Sequence, residues 1–426
     1  EIHLDSPTGT IIGKTAPIEV SQGGFGGPPP AANPNAAQKG APLGTPVVAP
    51  ATPAQAGVTL TASGSTAIKN LLDVCIPAYA SDFTNNVSYG AGGSGAGRSA
   101  FNAGTVDLAF SDATYGSSES KPAAFAYVPA TQFPLAVMAK VTGFKGTLRL
   151  SPATIAKIFS GYITDWSAPE IAADNERVVK TPIYVTKKIT TTNKGKKVTK
   201  TVPVLDKNGK AKVKSYNTKT INIDLPKQAI TVWYRTDSSG TSENFTKFLK
   251  EANASNPDTR IWPKTQAAVF SNATPNNIST FFNFQGASGS AAVSAGVAGK
   301  VGSITYSEVS FAIANKLPVA YVQNANGEFV APDAARTSIF LGGGTINDNG
   351  TVSVDFAKKI PGAYPLGTTS YGLAYSSGKD AAKQKAVAEW FTYVLEQCPT
   401  KYPEKGFAQI TGPLATKAKE QIAKIK

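Results

Sequence analysis

The stretch Ile230-Thr-Val-Trp-Tyr-Arg-Thr-Asp-Ser-Ser-Gly-Thr-Ser242 changes character twice, and its reading decides the fold. Ile230 to Tyr234 are β-branched and aromatic, the composition of a buried strand, whereas Glu243 to Ala252 places Phe245, Phe248 and Leu249 at helical spacing. The polar turn between them sets Ser239, Gly240, Thr241 and Ser242 at a helix start, where the first amides lack intrahelical partners and the helix dipole is positive. Such a turn attracts an anion. Arg235 enters it from the strand with a fork that matches two oxygens at once, and Asp237 is close enough to orient that fork. The plain alternative is a capped helix beside a surface ion pair.

Working outward, two more turns have the same form. Thr59-Leu-Thr-Ala-Ser-Gly-Ser-Thr66 reads as a short strand and a turn of small hydroxyl residues, followed by a helix over 67–78 with Ile68, Leu71, Leu72 and Cys75 on one face. Val87-Ser-Tyr-Gly-Ala-Gly-Gly-Ser-Gly-Ala-Gly-Arg98 is the third, with a helix expected from Ser99. Its Gly90, Gly92 and Gly95 have the G-x-G-x-x-G spacing, with Asp107 and Asp112 near the place of a ribose-binding acid, so a nucleotide-dependent enzyme has to be weighed. Against it, the preceding strand is short and polar where a Rossmann first strand is buried and apolar. A flexible glycine linker is the remaining alternative.

Composition bounds the function classes. The chain has 426 residues, 41% of them hydrophobic, without a long apolar run. His3 is the sole histidine, which excludes histidine-dependent triads, proton shuttles and histidine-rich metal sites. Cys75 and Cys398 are too few for a structural zinc site and leave one disulfide or two buried thiols. Residues 1–22 resemble the last strand of a family 6 carbohydrate-binding β-sandwich, which implies continuation from a larger protein; a stray strand is the alternative. Residues 23–57, dominated by Gly, Pro and Ala, read as an extended linker.

Four runs in order, Ala62-Ser-Gly-Ser-Thr66, Tyr89-Gly-Ala-Gly-Gly-Ser-Gly-Ala-Gly97, Val106-Asp-Leu-Ala-Phe-Ser-Asp112 and Tyr234-Arg-Thr-Asp-Ser-Ser-Gly-Thr-Ser242, resemble the bacterial phosphate-binding protein of the phosphate ABC transporter. Leu150 to Trp166 and Gly299 to Glu308 add supporting matches. The resemblance implies a two-lobed α/β fold of the periplasmic-binding-protein type II class, with ligand in the interlobe cleft. It implies lobe one over 58–140 and 313–426 and lobe two over 141–312. Carried residue by residue, it puts phosphate on Thr66, the Ala67 amide, Ser94, Asp112, Arg235, Ser239 and the amides of Gly240 and Thr241, with Asp237 orienting Arg235. Ala67 departs from the family's usual Phe, which changes the cleft wall but not an amide contact. A carboxylate facing an anion repels it unless the anion brings a proton, so Asp112 would favour monohydrogen phosphate over sulfate; the alternative is a helix N-cap. The lobe assignment also implies a Cys75–Cys398 disulfide, because the helix over 381–396 should return to the lobe that holds Cys75.

One feature departs from the ordinary pattern. From Lys187 to Lys219 the chain inserts eleven lysines against one acid, Asp206, a net of +10 out of the whole chain's +14. Val198 to Leu205 and Ala211 to Tyr216, joined through Asp206-Lys-Asn-Gly209, read as a protruding β-hairpin or small meander. Charge so concentrated would attract anionic cell-surface polymers; lysines that merely guard exposed strand edges are the alternative. The combined expectation is a secreted or surface-attached, non-enzymatic binding protein for inorganic phosphate. It would be monomeric in its binding unit, need no cofactor, and feed an ABC-transporter permease. The rival within the fold is a surface module that captures phosphate or an anionic polymer without transport.

Overall fold

The computed structural model describes residues 57–426 apart from 194, 195, 222, 224, 259 and 260. The expected strand over 1–22, and all but the last residue of the expected linker over 23–57, lie outside the described residues. Eight strands make the central sheet: β1 (Thr59–Gly64), β2 (Asn86–Gly90), β3 (Leu108–Ser111), β4 (Phe125–Ala139), β5 (Thr231–Arg235), β6 (Phe284–Ala287), β7 (Ser303–Glu308) and β8 (Gly367–Tyr375). Their order is β6-β5-β7-β4-β8-β3-β1-β2. β1 pairs in parallel with β2 and β3, and β5 pairs in parallel with β6 and β7, so each half repeats one local order.

β4 joins the halves. Residues 125–134 run antiparallel along β8, and 135–139 run antiparallel along β7. Every residue of β4 after Phe125 is buried, and so is all of β8, which is why both read as apolar or small-residue runs without alternation. Two prolines sit inside β4 where a missing N–H does little harm. Pro129 lies at the register shift opposite Ser370 and Tyr371, and Pro134 faces Gly367 at the end of β8, where pairing passes to β7. The result is the two-lobed α/β arrangement that the sequence led us to expect.

Helices follow the parallel strands: α1 (Lys69–Asp82), α2 (Ser94–Asn102), α3 (Gly240–Glu251), α4 (Ser290–Gly299) and α5 (Val309–Asn315), with α6 (Ala381–Glu396) near the C-terminus. α6 has the expected bounds. α1 runs four residues beyond its expected end, because Tyr79 continues the buried face and packs on Trp390 and Tyr393 of α6, ring centroids 5.0 and 5.3 Å away. α2 begins at Ser94 rather than Ser99: glycine's low helix propensity is overridden where the small residues let this helix approach its neighbours closely.

The lysine-rich insertion is larger than expected and paired differently. Thr186–Asn193 pairs with Lys196–Pro203, and Arg177–Tyr184 pairs with Val213–Ile221, giving two antiparallel ribbons end to end. Of the strands expected to pair across the Asp206 turn, only the ends nearest the turn meet: Leu205 bridges Ala211, and the Lys212 amide donates to the Val204 carbonyl at 2.7 Å. The β-branched run Ile189 to Thr192 is itself a strand and pairs with the segment expected to pair across Asp206.

Cys75 in α1 and Cys398, just after α6, form a disulfide with Cα atoms 5.7 Å apart, and both are fully buried. It closes a loop with a sequence separation of 323. On the chain-entropy account such a loop has a ceiling of roughly 5–6 kcal/mol, while removing native disulfides costs about 2–5 kcal/mol. The double substitution Cys75→Ser/Cys398→Ser should therefore lower the unfolding free energy by about 2–5 kcal/mol in denaturant melts. The unreduced, denatured wild-type chain should titrate no free thiol; two titrating thiols would contradict the bond.

Candidate anion-binding site

Four turns open from the carboxyl ends of parallel strands. β1 leads through Ser65 and Thr66 to α1, β2 through Gly93 to Ser94 and α2, β5 through Asp237 and Ser239 to α3, and β6 through Gly289 to Ser290 and α4. Asp112 and Glu308 stand at the ends of β3 and β7, the strands on the other side of β1 and β5. Ligands of open α/β sheets bind outside these ends, where the strand order reverses. The fourth turn was missed in the sequence. Its signal was there: Ala287-Ser-Gly-Ser290 repeats Ala62-Ser-Gly-Ser65 letter for letter.

Arg235 is the best-held member, 1% exposed. Its Nε donates to Asp237 Oδ1 at 2.7 Å and its second terminal nitrogen donates to Asp237 Oδ2, so the fork is clamped as expected. The other terminal nitrogen donates to Ser290 Oγ at 3.0 Å. These bonds use three of the five N–H groups of a guanidinium and leave two for a ligand. Burial raises the Asp237 carboxyl, but the Arg235 hydrogen bond and charge, with the Gly289 N–H, outweigh it and hold Asp237 below the ordinary range. Ser290 also receives the turn after β1: its amide donates to Thr66 Oγ1 at 3.2 Å, and the two hydroxyls are 3.1 Å apart.

The remaining expected residues join the same cluster. Asp112, 3% exposed, accepts from Ser65 Oγ at 2.5 Å, Ser370 Oγ at 2.8 Å and Ser94 Oγ at 3.4 Å. Burial pushes its carboxyl up, more than these hydroxyls and the Arg235 charge pull it down. Asp112 is thus a buried acceptor rather than a helix cap. Ser239 does cap α3, accepting from the Ser242 amide at 3.2 Å, and keeps its hydroxyl proton for another partner. Gly240 lies against Ser94: a Cβ there would come within 2.8 Å of Ser94 Oγ and 2.9 Å of the Ala113 amide. Thr241 is buried beside it. The Ala67 amide, expected to face the anion, donates to Ser65 Oγ at 3.0 Å. Ser65, Ser290 and Ser370 are the site hydroxyls that the sequence reading had not picked.

The dinucleotide alternative fails on geometry. β2 is the edge strand of the sheet, whereas a Rossmann fingerprint follows a central one. The glycines face protein: the Gly95 amide donates to the Ser238 carbonyl at 3.0 Å, and a Cβ on Gly95 would lie 2.1 Å from Ser238 Oγ. Asp107 is already engaged by the Thr61 amide and hydroxyl and by Lys383.

With the geometry in hand, comparison with known proteins decides the family. A profile of the PBP superfamily domain matches residues 49–395. The phosphate-binding protein PstS 3 of Mycobacterium leprae is 30% identical over 342 residues, 77% of this chain and 76% of the relative. The chain belongs to this family of phosphate-binding proteins. PstS2 of Mycobacterium bovis is 29% identical over 77% of this chain and 76% of the relative. Among solved structures, the phosphate-binding protein from Stenotrophomonas maltophilia superposes with a TM-score of 0.58 at 18% identity, over 85% of this chain and 94% of that one. PfluDING, a periplasmic phosphate-binding protein solved with phosphate, gives 0.59 at 19% identity over 85% and 93%. These two likenesses establish the fold, which is of the periplasmic-binding-protein type.

Glu308 is a second carboxyl that the sequence reading passed over. Fully buried at the end of β7, it accepts from Ser307 Oγ and Ser310 Oγ, both at 3.0 Å, and no cation pairs with it among the described residues. Burial pushes it well above the usual carboxylate range, and the Asp112 charge adds to the rise. A carboxyl raised in the folded state binds its proton more tightly than in the unfolded chain, so its stability contribution is present at low pH and declines as pH climbs above the unfolded value. Glu308→Gln should therefore gain stability relative to wild type as pH rises from 5 to 8 in denaturant melts at fixed phosphate. A difference that is flat or shrinks with pH would contradict this assignment.

Proposed function

We infer that this chain captures inorganic phosphate between its lobes and delivers it to the permease of a phosphate ABC transporter. The observation that carries this is the pairing at one point of a buried, clamped guanidinium and a buried carboxylate, ringed by hydroxyls and helix-start amides. An oxyanion leaving water must have its hydrogen bonds replaced, and these donors do so without several bare cations. In this reading Thr66, Ser94, Arg235, Ser239 and the amides of Gly240 and Thr241 donate to phosphate, while the Ala67 amide stays on Ser65 Oγ, and Asp112 accepts the one proton that monohydrogen phosphate carries and sulfate lacks. Asp237 orients Arg235. The lobes are 58–140 with 313–426, and 141–312, although Tyr321–Gln323 reaches across to pair with Arg149–Leu150.

The relatives are binding proteins, and we read this chain likewise as a carrier that returns its ligand unchanged. A buried disulfide suits an oxidising compartment outside the cytoplasm. No helix among the described residues is long and apolar enough to cross a membrane.

Arg235→Ala should weaken phosphate binding by a hundredfold or more, about 3 kcal/mol, because the site loses charge-assisted donors and the half-buried Asp237 loses its charged partner. Titration calorimetry reads this directly, and wild-type affinity in that variant would remove the site. Asp112→Asn should narrow the ratio of phosphate to sulfate affinity, since an amide can donate to either anion. Selectivity unchanged from wild type would refute the proton-based filter.

A further inference from the structure

The insertion plays no part in the cleft, yet it carries most of the net charge of the chain. Its two ribbons have no covering layer: every described residue of Thr186–Thr192 and of Lys196–Thr201 is exposed, and so is all of Val213–Ile221. Bare two-stranded ribbons are marginal in water, so this one is maintained without the usual reward of burial. Its register spreads the charge. Lys187 faces Val202, Lys188 faces Thr201, Lys197 faces Thr192, Lys200 faces Ile189 and Lys219 faces Val179, so none of these lysines stands directly opposite another, which lowers cross-strand repulsion. Nor is the charge neutralised from within. The insertion's one acid, Asp206, accepts from the amides of Asn208 and Lys210 at 2.8 and 2.9 Å, and none of the described lysines between 187 and 219 is ion-paired. Charge that only guards a strand edge belongs along that edge, whereas here ten in excess are spread over both faces of the ribbons.

We propose that this ribbon is a docking surface for a flexible, linear polyanion with a phosphate backbone. The chemistry is set by lysine: the stretch contains no arginine, so it offers hydrated point charges and threonine hydroxyls, which suit phosphate groups without demanding a fixed planar geometry. The placement sets the flexibility. Adjacent residues of a strand point to opposite faces, so Lys187 and Lys188, and Lys196 and Lys197, put charge on both sides of one ribbon. A flat membrane or a stiff duplex meets one side at a time, whereas a flexible chain can engage both. Binding then draws its free energy from counterions released from the polymer.

The test uses the whole chain and long-chain inorganic polyphosphate, followed by fluorescence anisotropy across a salt series, with double-stranded DNA and anionic vesicles as parallel arms at equal phosphate concentration. Polyphosphate should bind tightest, with affinity falling steeply with salt. The variant Lys187→Gln/Lys188→Gln/Lys196→Gln/Lys197→Gln/Lys200→Gln removes five charges and should flatten the log–log salt slope by about 3.5 while weakening binding at least tenfold. A second variant replaces residues 187–219 with a short Gly-Ser turn and should abolish binding, with phosphate affinity in the cleft intact in both. Unchanged polymer affinity and slope in either variant would overturn the proposal, as would tighter binding to DNA or vesicles.

Discussion

A guanidinium that is 1% exposed cannot be left unpaired, and the rest of the site is arranged by how Arg235 is satisfied. Asp237 takes two of its donors and, through Oδ1, also the Gly289 amide at 2.9 Å, so one carboxylate joins the turn after β5 to the start of α4. The Arg235 amide lies 3.4 Å from the Tyr306 hydroxyl, which in turn lies 2.7 Å from Ser242 Oγ, and the Tyr306 ring stacks on Phe245. These contacts lock strand, turn and helix into one geometry. Ser290 then carries the constraint to Thr66, so the turns after β5, β6 and β1 are joined through one arginine.

Against that cation stand two raised carboxyls, Asp112 and Glu308, at equivalent strand ends in the two halves. Their roles differ because their neighbours differ. Asp112 is within electrostatic reach of Arg235 and is held by hydroxyls from three separate segments, so its orientation is fixed toward the shared cleft. Glu308 is held by its own neighbours Ser307 and Ser310, and Ser310 accepts from Asn70 of α1 at 2.8 Å, which ties the start of α5 to α1.

The turns were legible in the sequence because each combines a local signal, a strand composition followed by small hydroxyl residues and an apolar helical face. Arg235, Asp237, Asp112 and the α6 boundaries came from such signals or from the family resemblance they supported. Ser370 was not legible, since it lies inside an all-buried strand whose small polar residues look like packing until the partner is known. Ser290 was legible but unread, as the second copy of a tetrapeptide. The ribbon pairing was read only in part: the turn at Asp206 joins the segments expected, but the run Ile189 to Thr192 also has strand composition and takes most of 196–203 as its partner. The dinucleotide spacing misled for a related reason: a glycine run marks close backbone approach, and in this fold what approaches is the Ser238 turn.

The central claim is that these turns form one phosphate site, and titration calorimetry of the wild-type chain with phosphate, sulfate and NAD at neutral pH tests it most directly. The account predicts one phosphate per chain, sulfate weaker by roughly a hundredfold for want of the proton that Asp112 accepts, and no heat from NAD. Sulfate and phosphate bound with equal affinity, or NAD bound in place of phosphate, would contradict it.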